Sequence, residues 1–424
     1  MFLRKMHYLT FVTRSQWLSR EDIEKFQFKR LKFIIEHAYK NTRFYRKLFD
    51  ANRVKPTDFK KLSDINKFPV ITREQIMENY PELITQDFNW KPFDDKLHHS
   101  ALTAGSSGGH SFRILANEKA FDFAEAVYLR SLMNVGYKPW DKIAYYWYEQ
   151  PTTRFYNKFG LMKKQTVPAT LSFDQQIALL KKINPEIIYY FGSILYIISK
   201  IVGSNFLNLK VVITHAELLS EKMRRSIGRS FNCNVYDQYG TSEFVRMAWE
   251  CKERTGYHID AENVFIEVLD DNHENLVDEP GNIITSGLWN TTLPLIRYKI
   301  GDVGAISDEE CSCGRGLPLL KSIEGRKNDL IKIGNKVFTP KMIIDSIDDE
   351  NVYQFKFDQI DKRKFDLYLS FKGKRRKKET IEKILIKINE LLGGKIKVNV
   401  YDKELLLSKR GKFKLVNGLD SRIN

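Results

Sequence analysis

Between Lys142 and Leu295 short apolar runs alternate with amphipathic stretches, a rhythm that few folds accommodate. IAYYWY, EIIYYF, KVVITHA and NVYDQYG are rich in β-branched and aromatic residues and read as buried strands. LSEKMRRSIGRSF, between two of them, reads as a helix. Strands interleaved with helices build sheets covered by helices, so the fold class is α/β, a large multi-layer domain. In such sheets ligands gather beyond the carboxyl ends of the strands. The uncharged run IIYYFGSILYIIS is too short to cross a bilayer, and Gly192-Ser193 divides it into a strand and a helix capped by Ser193.

The two ends read differently. Ser19-Arg20-Glu21-Asp22 resembles a capping box, and Ile23, Phe26, Leu31, Ile34, Ile35 and Ala38 follow at helical spacing, which predicts a long helix from about Arg20 to Tyr39. Beyond Gly325-Arg326, VYQFKFD and FDLYLSF read as strands, Thr380 to Leu392 as a helix and KIKVNVYD as a last strand. The chain therefore divides into domains 1–326 and 327–424, the second a small α+β unit.

Composition removes several classes. A chain of 424 residues that is 42% hydrophobic has the makings of a core and is not disordered. Four cysteines exclude a disulfide scaffold and suit a reducing compartment. The N-terminus MFLRKMHYLTFVTRSQW lacks the layout of a signal peptide, so the expectation is a soluble cytoplasmic protein without a transmembrane segment; a homodimer is compatible with it. The formal charge of +16 attracts anions. The densest basic run, Lys372 to Lys378, reads as a solvated hairpin tip or as a dock for a phosphate-rich partner. Because the basic residues are dispersed and not interleaved with aromatics, a nucleic-acid-binding protein is the disfavoured reading.

Five short motifs carry the chemistry. In Thr103-Ala104-Gly105-Ser106-Ser107-Gly108-Gly109, glycines allow close backbone approach and hydroxyls add donors for phosphate oxygens. His110-Ser111 follows, so this is not a Walker loop, and a plain flexible loop would use the same residues. Tyr236-Asp237-Gln238-Tyr239-Gly240-Thr241-Ser242-Glu243 directly follows a predicted strand; a tyrosine can stack on a purine and a carboxylate can hold magnesium, although a strand end with a turn would look alike. Gly301-Asp302 offers an Asp after a tight glycine turn, Gly325-Arg326 marks the domain boundary, and Gly411-Lys412 lies in the Lys-rich C-terminal segment.

Taken in order, these motifs resemble the adenylate-forming superfamily of acyl-CoA synthetases, luciferases and adenylation domains. Within it the chain looks most like the phenylacetate–coenzyme A ligase-like branch, which includes CapK-like proteins of capsule polysaccharide biosynthesis. HAYKNTRFYRKLF, THAELLS and LPLIRYKIGDVG extend the likeness over nearly the whole chain. The resemblance implies an ATP-dependent, AMP-forming ligase that activates a small-molecule carboxylic acid and passes it to coenzyme A, or alternatively to an amine or hydroxyl in surface-polysaccharide biosynthesis. It further implies that Thr103, Gly105, Ser106, Ser107 and Gly108 cradle phosphates and that Tyr239, with Gly240, Thr241 and Ser242, flanks the adenine. Glu243 would bind magnesium, Asp302 the ribose with Arg326 beside it, and Lys412 the α-phosphate, carried by a mobile C-terminal lid. His110-Ser111 and Asn328 depart from the pattern common among relatives, which bears on loop closure and on the hinge.

A sixth constellation is Cys251, His258, Cys311 and Cys313: a C-x6-H pair and a C-x-C pair supply three sulfurs and an imidazole, a common closed zinc set. Without metal they would be four reduced side chains. Cys233 is left over and suits the core. Tyr145, Tyr146, Trp147 and Tyr148 could line an acid pocket but equally suit a core.

Overall fold

The structure, a computed structural model, describes residues 2–86, 98–102, 112–147, 160–347, 349–371, 376–403, 405 and 414–421. They form two compact units, one made of residues 1–134 and 239–323, the other of residues 135–238 and 324–424.

In the second unit the predicted strands Asn234–Tyr239, Val211–His215, Ile187–Phe191 and Ile143–Trp147 lie side by side, with Lys164–Pro168 at the edge, all parallel. Parallel neighbours require crossovers, and the helices Phe173–Ile183, Gly192–Val202 and Glu221–Phe231 supply them. Alternation splits the side chains. Ala144, Tyr146, Ile188, Tyr190 and Val212 pack with Leu180, Ile194, Leu195, Ile198 and Ile227 of the helices in one apolar cluster. Tyr145, Trp147, Tyr189 and His215 point the other way. The expected cap at Ser193 is corrected: the helix begins at Gly192, and Ser193 instead directs its backbone N–H and its hydroxyl to Glu217 Oε2. That carboxylate lies at the helix N-terminus, where a negative charge is favoured.

The stretch after Arg326 also follows its patterning. Val352–Asp361 and Lys364–Phe371 pair antiparallel, flanked by Val416–Asn417 and Lys397–Asp402, and Ile343, Phe357, Leu367, Ile384 and Ile388 form a core of their own. Of the basic run, residues 372–375 lie outside the described residues. Lys377 and Lys378 open the helix Lys377–Leu392 instead of belonging to a hairpin tip.

The first unit carries the long helix. Arg20–Asn41 is capped by Ser19, whose hydroxyl accepts from the Asp22 N–H, and buries Ile23, Leu31, Ile34, Ile35 and Ala38 as expected. Gln27 shares that buried face because its amide donates to the Ala261 and Val264 carbonyls, so the interior leaves it satisfied. A further helix, Phe2–Ser15, packs on the helix Glu118–Met133. Strands Val264–Leu269, Gly281–Gly287 and Tyr298–Ser307 form an antiparallel run beside Leu319–Arg326, Tyr257–Ile259 and Ala248–Glu250.

One buried ion pair fixes the entry to Tyr298–Ser307. The guanidinium of Arg297 meets both carboxylate oxygens of Glu267, at 2.8 and 3.2 Å, and donates to the Phe68 carbonyl at 2.6 Å. Both side chains are 3% exposed. Burial pushes the Glu267 carboxyl upward while Arg297 pulls it back. Arg297→Met leaves a buried carboxylate without its partner and is expected to lower stability by about 3–5 kcal/mol in denaturant unfolding, whereas the pair replacement Arg297→Met with Glu267→Leu should recover most of that loss.

Candidate functional site

Tyr239 is the last residue of its strand, and the chain turns back at once, because the Met247 N–H returns to the Tyr239 carbonyl at 3.0 Å. The turn closes on itself through Val245 N–H to the Thr241 carbonyl at 2.8 Å and Phe244 N–H to the Thr241 hydroxyl at 3.3 Å. Asn263 clamps it from below, donating to the carbonyls of Phe244 and Arg246. Gly240 is obligatory here: a Cβ would lie 1.9 Å from the Val245 carbonyl oxygen. Val245 itself sits at φ 63, an uncommon conformation for a β-branched residue and one found where a turn is over-determined. Thr241, Ser242 and Glu243 are half-buried on this turn.

Asp302 reaches the same place from another element. The sequence suggested a tight glycine turn; the structure has a β-bulge inside the strand Tyr298–Ser307. Pairing jumps from Lys299–Ile284 to Val303–Asn282, and Gly301 at φ 87 takes up the extra chain. The bulge re-aims Asp302, which is 8% exposed, so that its Oδ2 accepts a 2.7 Å hydrogen bond from the Tyr239 hydroxyl. Two motifs separated by 63 positions therefore meet. Arg326 ends the strand Leu319–Arg326 and leads into a single 3₁₀ turn, Lys327–Asp329, where Asp329 pairs with Lys414 at 2.7 Å. Thr103, Gly105, Ser106, Ser107, Gly108 and Lys412 lie outside the described residues, as does Tyr148.

Within the second unit the carboxyl ends of the parallel strands carry an aromatic cluster that the sequence left undecided. His215 ends its strand and lies 4.2 Å from Tyr189, 5.0 Å from Phe191 and 6.2 Å from Tyr145 and Trp147, ring centre to ring centre. Ala216, at φ 66, then turns the chain so that Glu217 meets Ser193. His215 and Glu217 were missed as site candidates; their signal was the strand-end position of THAELLS. Tyr146 is plain core, its ring tilted against that of Tyr190 at 4.7 Å.

The sixth constellation does converge. Ala248–Glu250 and Tyr257–Ile259 pair with Trp249 opposite His258, and Leu319 lies on the other side of His258, which brings Cys251 and the Cys311–Gly314 turn to its two flanks. One ligand atom from each of Cys251, His258, Cys311 and Cys313 lies within 4.8 Å of all the others. The Cys251 and Cys311 sulfurs are 3.7 Å apart, and Cys313 Sγ is 3.3 Å from His258 Nε2. Burial pushes the Cys251 thiol up to about 12. Burial works the same way on Cys311, but hydrogen bonds from Thr255, from Cys313 and from Cys251 outweigh it and its thiol is lowered. Burial, then the nearby Arg315, brings His258 down to about 4, so its imidazole is neutral and can be a ligand. Cys233, half-buried, packs against the second unit's core.

Comparison with known proteins finds no matching family model. It does find similarity to phenylacetate-coenzyme A ligase of Escherichia coli (strain K12), 28% identical over 342 residues, 76% of each chain. Protein CapK of Staphylococcus aureus is 25% identical over 346 residues, 74% of this chain and 70% of that one. Among solved structures, 2-hydroxyisobutyryl-CoA ligase in complex with 2-HIB-AMP shares the fold with a TM-score of 0.79 at 17% identity, over 97% of this chain and 92% of the other. The resemblance drawn from the motifs is thus the one that whole-chain comparison finds.

The Tyr239 hydroxyl and the missing Cβ at Gly240 make separable contributions. Tyr239→Phe should lower the unfolding free energy by about 1–3 kcal/mol, since it takes a donor from a buried carboxylate. Gly240→Ala should lower it by about 1–3 kcal/mol through the forced shift of the Val245 carbonyl. Urea unfolding with an unchanged m-value checks both.

Proposed function

We propose that this chain is an adenylate-forming carboxylate ligase, which joins an organic acid to the AMP part of ATP and then hands the acyl group to coenzyme A. The observation that carries the reading is the meeting of Tyr239 and Asp302 across motifs of the right kind and order. An acid oxygen attacks the α-phosphorus, the bond to pyrophosphate breaks, and acyl-AMP forms. A thiol then attacks the acyl carbon, loses its proton to solvent, and AMP leaves.

In this reading Asp302 accepts the ribose hydroxyls, held in place by the Tyr239 hydroxyl, while the Tyr239 ring flanks the adenine. The Gly240–Glu243 turn lies along the nucleotide, with Arg326 near the ribose. Glu243 is half-exposed and suits magnesium, which takes one or two carboxylates and keeps several waters; when bound, that ion neutralises charge on the phosphates. Thr103–Gly109 and Lys412 complete the set, the lysine carried on residues 327–424 acting as a lid that closes to exclude water and reopens for the acceptor. The aromatic face around His215 suits the wall of an acid pocket. A second reading keeps the adenylation but transfers the acyl group to an amine or hydroxyl of surface-polysaccharide biosynthesis, as the motif resemblance to capsule-pathway proteins suggests. The thiol-rich cluster suits the reducing cytoplasm.

The test is pyrophosphate release from ATP and magnesium across a panel of carboxylic acids, followed by a panel of acceptors. AMP and pyrophosphate are the expected products; ADP and phosphate would overturn the adenylation. Glu243→Gln should lower the rate at least about tenfold and weaken the magnesium dependence with it.

The Cys251, His258, Cys311 and Cys313 cluster fits a structural zinc. A tetrahedral site with Zn–S bonds of about 2.3 Å has sulfur–sulfur edges of about 3.8 Å, against 3.7 Å between Cys251 and Cys311. Four protein ligands leave no open position, so the metal would hold the fold and take no part in the reaction. Metal analysis of untagged protein should find about one zinc per chain. The Cys311→Ser, Cys313→Ser double variant should lose it and melt at lower temperature before its chemistry changes.

A further inference from the structure

The helix Phe2–Ser15 is apolar on two sides. Its inner side is accounted for: Tyr8 and Phe11 lie 5.2 and 6.3 Å from Phe123, Val12 is fully buried beside them, and Arg4 and Lys5 pair with Glu118, Asp122 and Glu125 of the helix beneath. Residues 3, 6, 10 and 14 fall on the opposite side at helical spacing, and residue 17 continues their line into the following turn. There Leu3 is 83% exposed, Met6 45%, Trp17 53% and the adjoining Leu18 41%. Scattered exposed apolar residues are ordinary, but three share this line, with Thr10 and Arg14 between them, and Leu18 adjoins it.

Charge says what kind of partner it suits. Residues 1–20 include Arg4, Lys5, Arg14 and Arg20 and no acidic residue, in a chain of net charge +16. Arg14 is exposed on the same line, and the Arg315 guanidinium covers the Trp17 ring at 4.5 Å. The neighbouring helix Arg20–Asn41, in contact through Phe11 and Phe26 at 5.4 Å, adds exposed Lys29, Lys32 and Phe33, while its exposed Glu21, Asp22 and Glu24 pair with Lys25 and Arg20. The patch is the outer surface of a helix and not a groove, so it suits a planar surface better than an inserted peptide. At 14 residues the helix is too short to span a bilayer. Leu and Met for the acyl boundary, Trp for the headgroup level and Arg or Lys for lipid phosphates make the composition of a helix that lies in the interface.

We propose that this face docks the protein on the surface of an anionic lipid bilayer, with Leu3, Met6, Trp17 and Leu18 at the headgroup–acyl boundary and Arg14, Lys29 and Lys32 towards the lipid phosphates. The inference does not depend on the ligase reading. The test is co-sedimentation of the full chain with phosphatidylcholine vesicles prepared with and without phosphatidylglycerol. Binding is expected with the anionic vesicles, falling as salt rises. Leu3→Glu with Trp17→Glu should weaken it at least about tenfold, and Arg14→Glu should weaken it and flatten its salt dependence. All these positions are exposed, so thermal unfolding should stay as in the parent. Absence of binding to anionic vesicles at low salt, or binding unchanged in the double variant, would overturn the proposal. So would a chain that ignores vesicles but self-associates through this face, seen as a dimer that the double variant turns into a monomer.

Discussion

The ion pair between Arg297 and Glu267 is the constraint on which the Tyr239–Asp302 corner of the first unit depends. Arg297 takes a charge into the interior and holds a left-handed backbone at φ 50, both unfavourable in isolation. Its surroundings offset them. Glu267 supplies the opposite charge, the Phe68 carbonyl takes a further N–H, and the Ser286 hydroxyl accepts the Arg297 backbone N–H at 2.9 Å. With that corner set, Tyr298 enters its strand in one register, bridged to Ile71, and the bulge at Gly301 falls where Asp302 meets Tyr239. Arg297 thereby sets where Asp302 falls in its strand and so its meeting with Tyr239.

On the Tyr239 side the equivalent constraint is steric. The approach of the Val245 carbonyl to Gly240 leaves no room for a side chain, so the glycine of the motif is a packing requirement before it is a ligand-binding one. This explains why the motif was only half legible. That a strand ends at Tyr239 could be read from the apolar run before it, and the strands and helices of both units follow their local periodicities closely. What distinguishes a bulge from a turn at Gly301 is the partner strand, which is remote in sequence, and both devices place a glycine at positive φ. Local pattern therefore singled out Gly301-Asp302 and misjudged the backbone that carries it.

Other features were illegible for the same reason, that their partners are distant. Ser193 has the chemistry of a cap, yet its hydroxyl and N–H turn to Glu217, which follows a different strand. Gln27 looks out of place on an apolar face until the carbonyls of Ala261 and Val264 are set against it. Cysteine and histidine are the exception. Their side chains are few and their coordination chemistry is restrictive, so four of them suggested a shared site even though Cys251 and Cys311 are 60 positions apart.

That cluster lies where two regions also meet as strands of one sheet, His258 opposite Leu319. The loop after Cys313 runs Gly314-Arg315-Gly316 and has no large apolar side chain with which to anchor itself. It packs instead through its backbone. A Cβ at Gly316 would lie 2.0 Å from the Leu18 carbonyl oxygen, and the Gly316 N–H donates to the Gln16 carbonyl. Arg315 donates to Gln16 and Asn134 and lays its guanidinium on Trp17. A loop held this closely needs a rigid base, and Cys251, Cys311, Leu317 and Leu319 supply one, packed with Ile23, Trp249 and Ala261 in a single buried cluster. The junction of the first two helices, with Trp17 and Leu18 exposed upon it, is therefore held in place by the loop that follows the cysteine turn.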